Sequence, residues 1–387
     1  MSWIKSFTRV ALLNLLILLA LLGLIAITPP LISDINLLRI NFFKKNTLVY
    51  DKALLPNYSS YQWANDYFAE EENIKTNYYD FIGWRRKQYS GSYINIDKDG
   101  FRQNTREATS SPGDAKVWFF GGSTIWGTGS KDDLTIPAYY QKISGLPTFN
   151  FGEGAYVSHQ SLNLLVKAYA AQESLNKHLV IFYDGVNDVV HKCRSDQTYF
   201  SSQQEPIFSK QLNLDSNKAS KTFATLTPTI EIFAKIFSKL KFGSSDKNSP
   251  AQMTPYNCDS DPAKADQIVR TMLLDWSLAK SMAQSQGNQF LPILQPVSYV
   301  GKPNLTYLPG VANDEALRKQ YAVIYSKLKE ALVKEKIQYL DLTNIFDGEE
   351  LFYFDFCHVT PNGNKLVAQK INDYVLRNLK KADQMRP

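Results

Sequence analysis

The sequence predicts an α/β domain in which helices cover both faces of a parallel β-sheet. The chain has 387 residues, 44% of them hydrophobic, which is ample for one large core. From about residue 116, short apolar runs alternate with stretches of helical periodicity. Such alternation gives parallel strands buried on both sides, with sites at their carboxyl ends.

The elements follow in chain order. Val10–Ile27 is apolar apart from Asn14, and its eighteen residues at helical rise span ~27 Å, close to a bilayer's hydrocarbon thickness. A signal-peptide apolar stretch runs about 7–15 residues and ends at a small-x-small site. This one is longer, and Ile25-Ala26-Ile27 is a poor cleavage site. Residues 1–30 are therefore read as an uncleaved transmembrane anchor. Lys5 and Arg9 lie before it and Arg39, Lys44 and Lys45 after it, so the flanking charge is nearly balanced. Large domains translocate regardless of such charge, and the expected location of the main domain is periplasmic or extracellular. Residues 31–115 are rich in Tyr, Trp and Asn. They are expected to form a stalk and accessory lobe, with short strands around Ser92–Ile96 and a turn at Asp97–Phe101.

Residues 116–380 hold the main domain. Lys116–Phe120, Thr148–Phe151, Leu179–Tyr183, Gln289–Leu294 and Gln338–Leu342 read as buried strands. Helices are expected near Ser158–Ser174, Pro262–Gln286 and Asp314–Lys336. Asp261 caps the second of these, Pro262 takes its first position and Gly287 follows its end. A final helix, Asn364–Leu379, carries Val367, Ile371, Tyr374, Val375 and Leu379 at helical spacing. An insertion at 192–261 follows the third strand. Its Ile230, Phe233, Ile236, Phe237 and Leu240 read as a helix packed on the core, with a lid or a membrane-surface helix as the alternatives.

Composition excludes several classes. The net charge is +6, from 43 Lys+Arg against 37 Asp+Glu, and no long basic run occurs, so a nucleic-acid footprint is missing. Cys193, Cys258 and Cys357, with no Cys-x-x-Cys, exclude a structural zinc module and a disulfide-dense scaffold.

Four short blocks carry chemistry. Phe119-Phe120-Gly121-Gly122-Ser123-Thr124 leads a strand into a turn that exposes a serine hydroxyl. Asn150-Phe151-Gly152-Glu153-Gly154-Ala155 follows a strand with small residues that let N–H groups point into a cleft. Tyr183-Asp184-Gly185-Val186-Asn187-Asp188 can aim an asparagine amide at developing negative charge. In Asp355-Phe356-Cys357-His358, a carboxylate three residues before a histidine can hold the imidazole by Nδ1 and leave Nε2 free as a base. Taken singly, each also reads as an ordinary polar turn.

Their order, and their positions after strands or before the last helix, resemble the SGNH hydrolases, also called the GDSL esterase/lipase superfamily. The resemblance covers about residues 115–380. Gly83-Trp84-Arg85 and Asp99-Gly100-Phe101-Arg102 look like the lead-in of membrane-anchored bacterial members. It implies a flavodoxin-like three-layer fold and serine acyl transfer. Ser123 is then the nucleophile, His358 the base and Asp355 its orienting carboxylate. The Ser123 N–H, the Ala155 or Gly154 N–H and the Asn187 amide form the oxyanion hole. No cofactor or metal is implied.

Two positions depart from the family pattern. Gly122 stands where Gly-Asp-Ser has its aspartate, and Ala155 stands at the last glycine of Asn-x-Gly-x-x-Gly, with Gly154 as the neighbouring candidate. The implied function is a membrane-anchored esterase that removes acyl groups, acetyl first, from an extracytoplasmic glycan or a lipid. The alternatives are a glycan O-acetyltransferase with the same triad, and a non-catalytic glycan-binding or assembly protein.

Cys193 and Cys258 bracket the insertion, and an oxidising compartment would let them pair. Cys357 lies between Asp355 and His358 and is read as a buried thiol; three free cysteines are the alternative.

Overall fold

The computed structural model describes residues 51–105, 116–171, 178–203, 205 and 255–379. The anchor expected at Val10–Ile27 and the helix expected over residues 230–240 lie outside the described residues. No helix among the described residues is long and apolar enough to cross a membrane.

Ahead of the main sheet come helix α1 (Ala64–Glu72) and two antiparallel hairpins. The first pairs β1 (Thr76–Tyr79) with β2 (Gly83–Arg86); the second pairs β3 (Tyr89–Ser90) with β4 (Asn95–Ile96). The strand expected around Ser92–Ile96 shortens to β4. The reason is Glu70, whose carboxylate accepts from the N–H groups of Ser92, Tyr93 and Ile94 in place of a partner strand.

The main sheet has five parallel strands: β5 (Val117–Gly121), β6 (Thr148–Asn150), β7 (Leu179–Asp184), β8 (Gln289–Leu294) and β9 (Leu340–Asp341). Their spatial order is β6-β5-β7-β8-β9. Numbered within the sheet, that is 2-1-3-4-5, the flavodoxin-like doubly wound order. β5 and β7 are buried at every position, as strands covered on both faces must be.

Successive side chains point to opposite faces. Val117, Phe119, Ile181 and Ile293 share a core with Ile136 and Tyr140 of α3 (Ile136–Ser144) and with Val367 and Ile371 of α8 (Pro361–Tyr374). On the other face Trp118 meets Tyr169 of α4 (Ser158–Ala170), and Phe120 meets Phe182. Helix α3 has no counterpart among the elements expected from periodicity. It is short, and its signals are terminal: the Thr135 hydroxyl accepts from Ala138 N–H, and Gly145 ends it at φ 70°.

After β7 comes α5 (Val186–Lys192), then α6 (Pro262–Ser285) and α7 (Glu315–Lys334). Asp261 caps α6 by accepting from Lys264 N–H, and Asp314 caps α7 in the same way at Leu317 N–H. The described ends of the insertion are tied together. Asn257 N–H donates to Cys193 carbonyl, Ser195 N–H donates to Pro255 carbonyl, and Cys193 and Cys258 form a disulfide with Cα atoms 5.2 Å apart. Cys357 is free and buried.

The disulfide closes a loop with a sequence separation of 65, so in the chain-entropy model it contributes about 4 kcal/mol. Cys193→Ser/Cys258→Ser should lower the unfolding free energy by up to that amount, read from denaturant midpoints under non-reducing conditions.

Candidate active site

The nucleophile candidate sits where β5 ends. Gly122 is the N-cap of α2 (Ser123–Trp126), a single turn, and Ser123 takes its first position. A Cβ on Gly121 would lie 2.6 Å from the Tyr183 carbonyl oxygen, and one on Gly122 would lie 2.3 Å from Asn187 Nδ2. A side chain at Gly122 would thus meet the end of the Asn187 amide, which would have to shift to admit it. The second block secures the turn from below. Asn150 Nδ2 donates to Ile125 carbonyl at 3.0 Å, and Asn150 Oδ1 accepts from Gly152 N–H at 2.9 Å.

Across the cleft, the chain returns on itself before α8. Phe354 N–H donates to His358 carbonyl, and Thr360 N–H donates to Phe352 carbonyl. Inside that turn Asp355 Oδ1 accepts from the N–H groups of His358 (2.8 Å) and Cys357 (2.9 Å), while Oδ2 lies 2.7 Å from His358 Nδ1. His358 Nε2 lies 2.6 Å from Ser123 Oγ. A carboxylate only accepts, so the imidazole proton belongs on Nδ1, and Nε2 accepts from the serine hydroxyl. The structure thus brings Ser123, His358 and Asp355 into one relay. Burial is the largest influence on Asp355 and opposes its ionisation. The charge of His358, its ring N–H and the two backbone N–H groups outweigh it and lower the carboxyl from 3.8 to about 2.

Three N–H groups follow the ends of β5, β6 and β7 in the chain. Ser123 opens a helix, so its N–H has no intrahelical acceptor. Asn187, in the first turn of α5, donates one Nδ2 hydrogen to Tyr156 carbonyl at 2.8 Å and keeps the other. The third concerns the choice between Ala155 and Gly154. Gly154 N–H donates to Glu153 Oε1 at 2.6 Å, which removes Gly154 as a donor to the cleft. Among the described residues nothing accepts from Ala155 N–H. Ala155 has φ 63°, the left-handed region that favours glycine, which costs an alanine about 1–2 kcal/mol.

Behind the hole lies a buried polar network. Asp188 accepts from Ser158 N–H and from Lys192 Nζ, the latter at 2.6 Å. Ser158 Oγ lies between Asp188 Oδ1 at 2.9 Å and Asp275 Oδ2 at 2.7 Å, with one hydroxyl hydrogen to share, and Asp275 Oδ1 faces His159 Nδ1 at 3.0 Å. Asp184 accepts from Ser161 Oγ and Trp276 Nε1, and burial pushes its carboxyl well up. These bonds tie the loop bearing Ala155 to the helix bearing Asn187.

The remaining histidines are engaged elsewhere. His178 stacks on Trp118, and His159 pairs with Asp275. His191 lies within α5, where burial drives its imidazole down to about 4.

Glu153, Trp84, Arg86 and Tyr156 lie against these residues, and the sequence assigned none of them a role. Glu153 stands in a block of small residues, and its partner in β2, Arg86, lies 67 positions upstream. The only available signal was Gly83-Trp84-Arg85 itself.

No family model matches the chain, and no curated protein matches it in sequence. Among solved structures it is similar to a member of the lipolytic G-D-S-L family from Veillonella parvula, at 10% identity and a TM-score of 0.39, covering 67% of this chain and 98% of that one. It is also similar to an acetyl xylan esterase, AlAXEase, at 15% identity and a TM-score of 0.36, with 67% and 98% covered. A carbohydrate acetylesterase from Sinorhizobium meliloti gives 13% identity and a TM-score of 0.35, with the same shares.

Two outcomes follow from this geometry. Ala155→Gly should relieve the left-handed strain and raise the unfolding free energy by about 0.5–1 kcal/mol, net of glycine's greater chain entropy, as measured by urea unfolding. Asp355 has a folded pKa below its ordinary value, so its contribution to stability is present above about pH 4 and is lost as pH falls towards about 2. The stability gap between wild type and Asp355→Asn, followed by denaturant unfolding at a series of pH values, should narrow over that interval.

Proposed function

We propose that this chain is a serine esterase of the SGNH type, acting outside the cytoplasm on acyl esters, with acetyl groups on a glycan as its substrate class. The observation that carries the reading is the relay Asp355–His358–Ser123, with contacts of 2.7 and 2.6 Å, beside N–H groups from three separate strand ends. The extracytoplasmic placement draws support from the Cys193–Cys258 disulfide, a bond that persists in oxidising compartments, and from the apolar span Val10–Ile27.

Each step uses these residues. Ser123 Oγ attacks the ester carbonyl carbon while its proton passes to His358 Nε2. Asp355 stabilises the imidazolium through Nδ1–H. The carbonyl oxygen becomes an oxyanion held by the N–H groups of Ser123 and Ala155 and by the free Nδ2 hydrogen of Asn187. The tetrahedral intermediate collapses, and the alcohol leaves with the proton from Nε2. Water then attacks the acyl-serine, again giving its proton to Nε2, and the acid is released.

The test is turnover of p-nitrophenyl acetate by the full chain. Ser123→Ala and His358→Ala should each abolish it with the fold intact, and Asn187→Ala should lower kcat by about 10²–10³. Retained turnover in either of the first two overturns the assignment. Acetate release from an acetylated polysaccharide, against none from a long-chain lipid ester, checks the substrate class. A sugar acceptor that takes up the acetyl group would identify a transferase instead.

A further inference from the structure

The oxyanion hole proposed above depends on an N–H presented by Ala155, a residue in a backbone conformation that alanine rarely adopts. We infer that Glu153, gripped by strand β2, is the positioning residue that fixes this donor. The inference rests on the esterase reading and deepens it, assigning a role to a carboxylate that the reaction itself does not use.

Both carboxylate oxygens of Glu153 are committed, and its side chain is fully buried. Oε1 accepts from Arg86 Nη1 at 2.5 Å and from Gly154 N–H at 2.6 Å, while Oε2 accepts from Arg86 N–H at 2.9 Å. Taking up the Gly154 N–H turns that peptide away from the cleft. The next peptide is pinned through its carbonyl: Gly154 carbonyl accepts from Trp84 Nε1 at 2.9 Å, and that same peptide unit carries the Ala155 N–H. One residue beyond Ala155, the Tyr156 hydroxyl donates to Trp84 carbonyl at 2.5 Å, and Tyr156 carbonyl accepts from Asn187 Nδ2 at 2.8 Å. Ala155 therefore stands between two pinned neighbours, and among the described residues nothing accepts from its own N–H.

A buried carboxylate needs both charge and hydrogen bonds to compensate its desolvation. Arg86 supplies both, from its guanidinium and its backbone. The guanidinium lies 3.6 Å from the ring of Trp126, the last residue of the nucleophile turn. It also packs against Gly154, where an added Cβ would meet Nη1 at 3.1 Å. One ion pair thus references the Ala155 donor to the turn that carries Ser123. A salt bridge with no task beyond stability has no reason to enlist the one N–H that would otherwise compete for the cleft.

The test uses the full chain with p-nitrophenyl acetate. The active fraction of wild type, Glu153→Gln and Trp84→Phe is counted with a fluorophosphonate that labels the nucleophile. Per active site, kcat, KM and the inhibition constant of phenylboronic acid are then measured, the boronate imitating the tetrahedral adduct. The carboxamide cannot serve Arg86 and Gly154 as the carboxylate does. Glu153→Gln should therefore lower kcat by about tenfold or more with KM changed less than about threefold, and should weaken boronate binding by the same factor as kcat/KM. Trp84→Phe, which removes the indole N–H accepted by Gly154, should show the same pattern. It decides the question if Glu153→Gln does not fold. Unchanged kcat per active site, or a loss that disappears once only active sites are counted, overturns the inference and leaves Glu153 a structural residue. A wild type that neither turns over the ester nor labels at Ser123 overturns the esterase reading and this inference with it.

Discussion

The seating of Trp126 governs the geometry of the cleft. Its indole belongs to a buried cluster with Tyr58, Tyr67, Phe68, Ile94, Ile96 and Phe354. Trp126 closes the helical turn that Ser123 opens, and Phe354 directly precedes Asp355. One apolar cluster thus holds both ends of the relay, and most of its side chains come from residues 58–96. Two guanidinium groups complete the seat. Arg86 and Arg102 lie 3.6 and 4.3 Å from the indole ring. Arg102 is fully buried and donates to Asp132 and to the carbonyls of Trp126, Gly127 and Ser130, so its charge is compensated and the segment after the serine is fastened. Residues 51–105 therefore pack directly against the turns that carry Ser123 and Asp355.

The other half of the cleft is organised by polar groups. Asp184, Asp188 and Asp275 are all nearly inaccessible and lie behind the loop and helix that supply Ala155 and Asn187. Such a concentration of carboxylates is tolerable only where donors meet each one. Ser158, Ser161, Trp276 and the buried Lys192 provide them. Hydrogen bonds have narrow preferred geometry, so this network fixes the orientation of the loop and helix it joins. The layout separates tasks: aromatic packing places Ser123 and His358, and hydrogen bonding places Ala155 and Asn187.

How much of this could be read from residues alone depended on range. Val117–Gly121, Leu179–Asp184 and Gln289–Leu294 announce themselves as continuous apolar runs, because strands covered on both faces exclude polar residues. The helix caps at Asp261 and Asp314 were legible because capping acts over three residues. The relay residues were legible as a set of blocks in order, although Ser123 and His358 are 235 positions apart. What stayed hidden was long-range and unpatterned. Nothing near Glu153 points to Arg86, 67 positions upstream, and Gly154 looked as good a donor as Ala155 until its N–H was seen to be taken. The closeness of Gly122 to Asn187, 65 positions away in the chain, was likewise hidden.

The Cys193–Cys258 bond has a topological consequence as well as an energetic one. Every peptide bond between these residues lies inside a covalent ring, whereas α5, which carries Asn187, and α6, which carries Asp275, lie outside it. A single cut anywhere in that ring leaves the two halves of the domain joined, running as one species on a non-reducing gel and as two fragments after reduction. Additions or deletions within the ring likewise leave its two anchor points where they are. This part of the chain is thus free to diverge in length and sequence while the segments on either side stay in register.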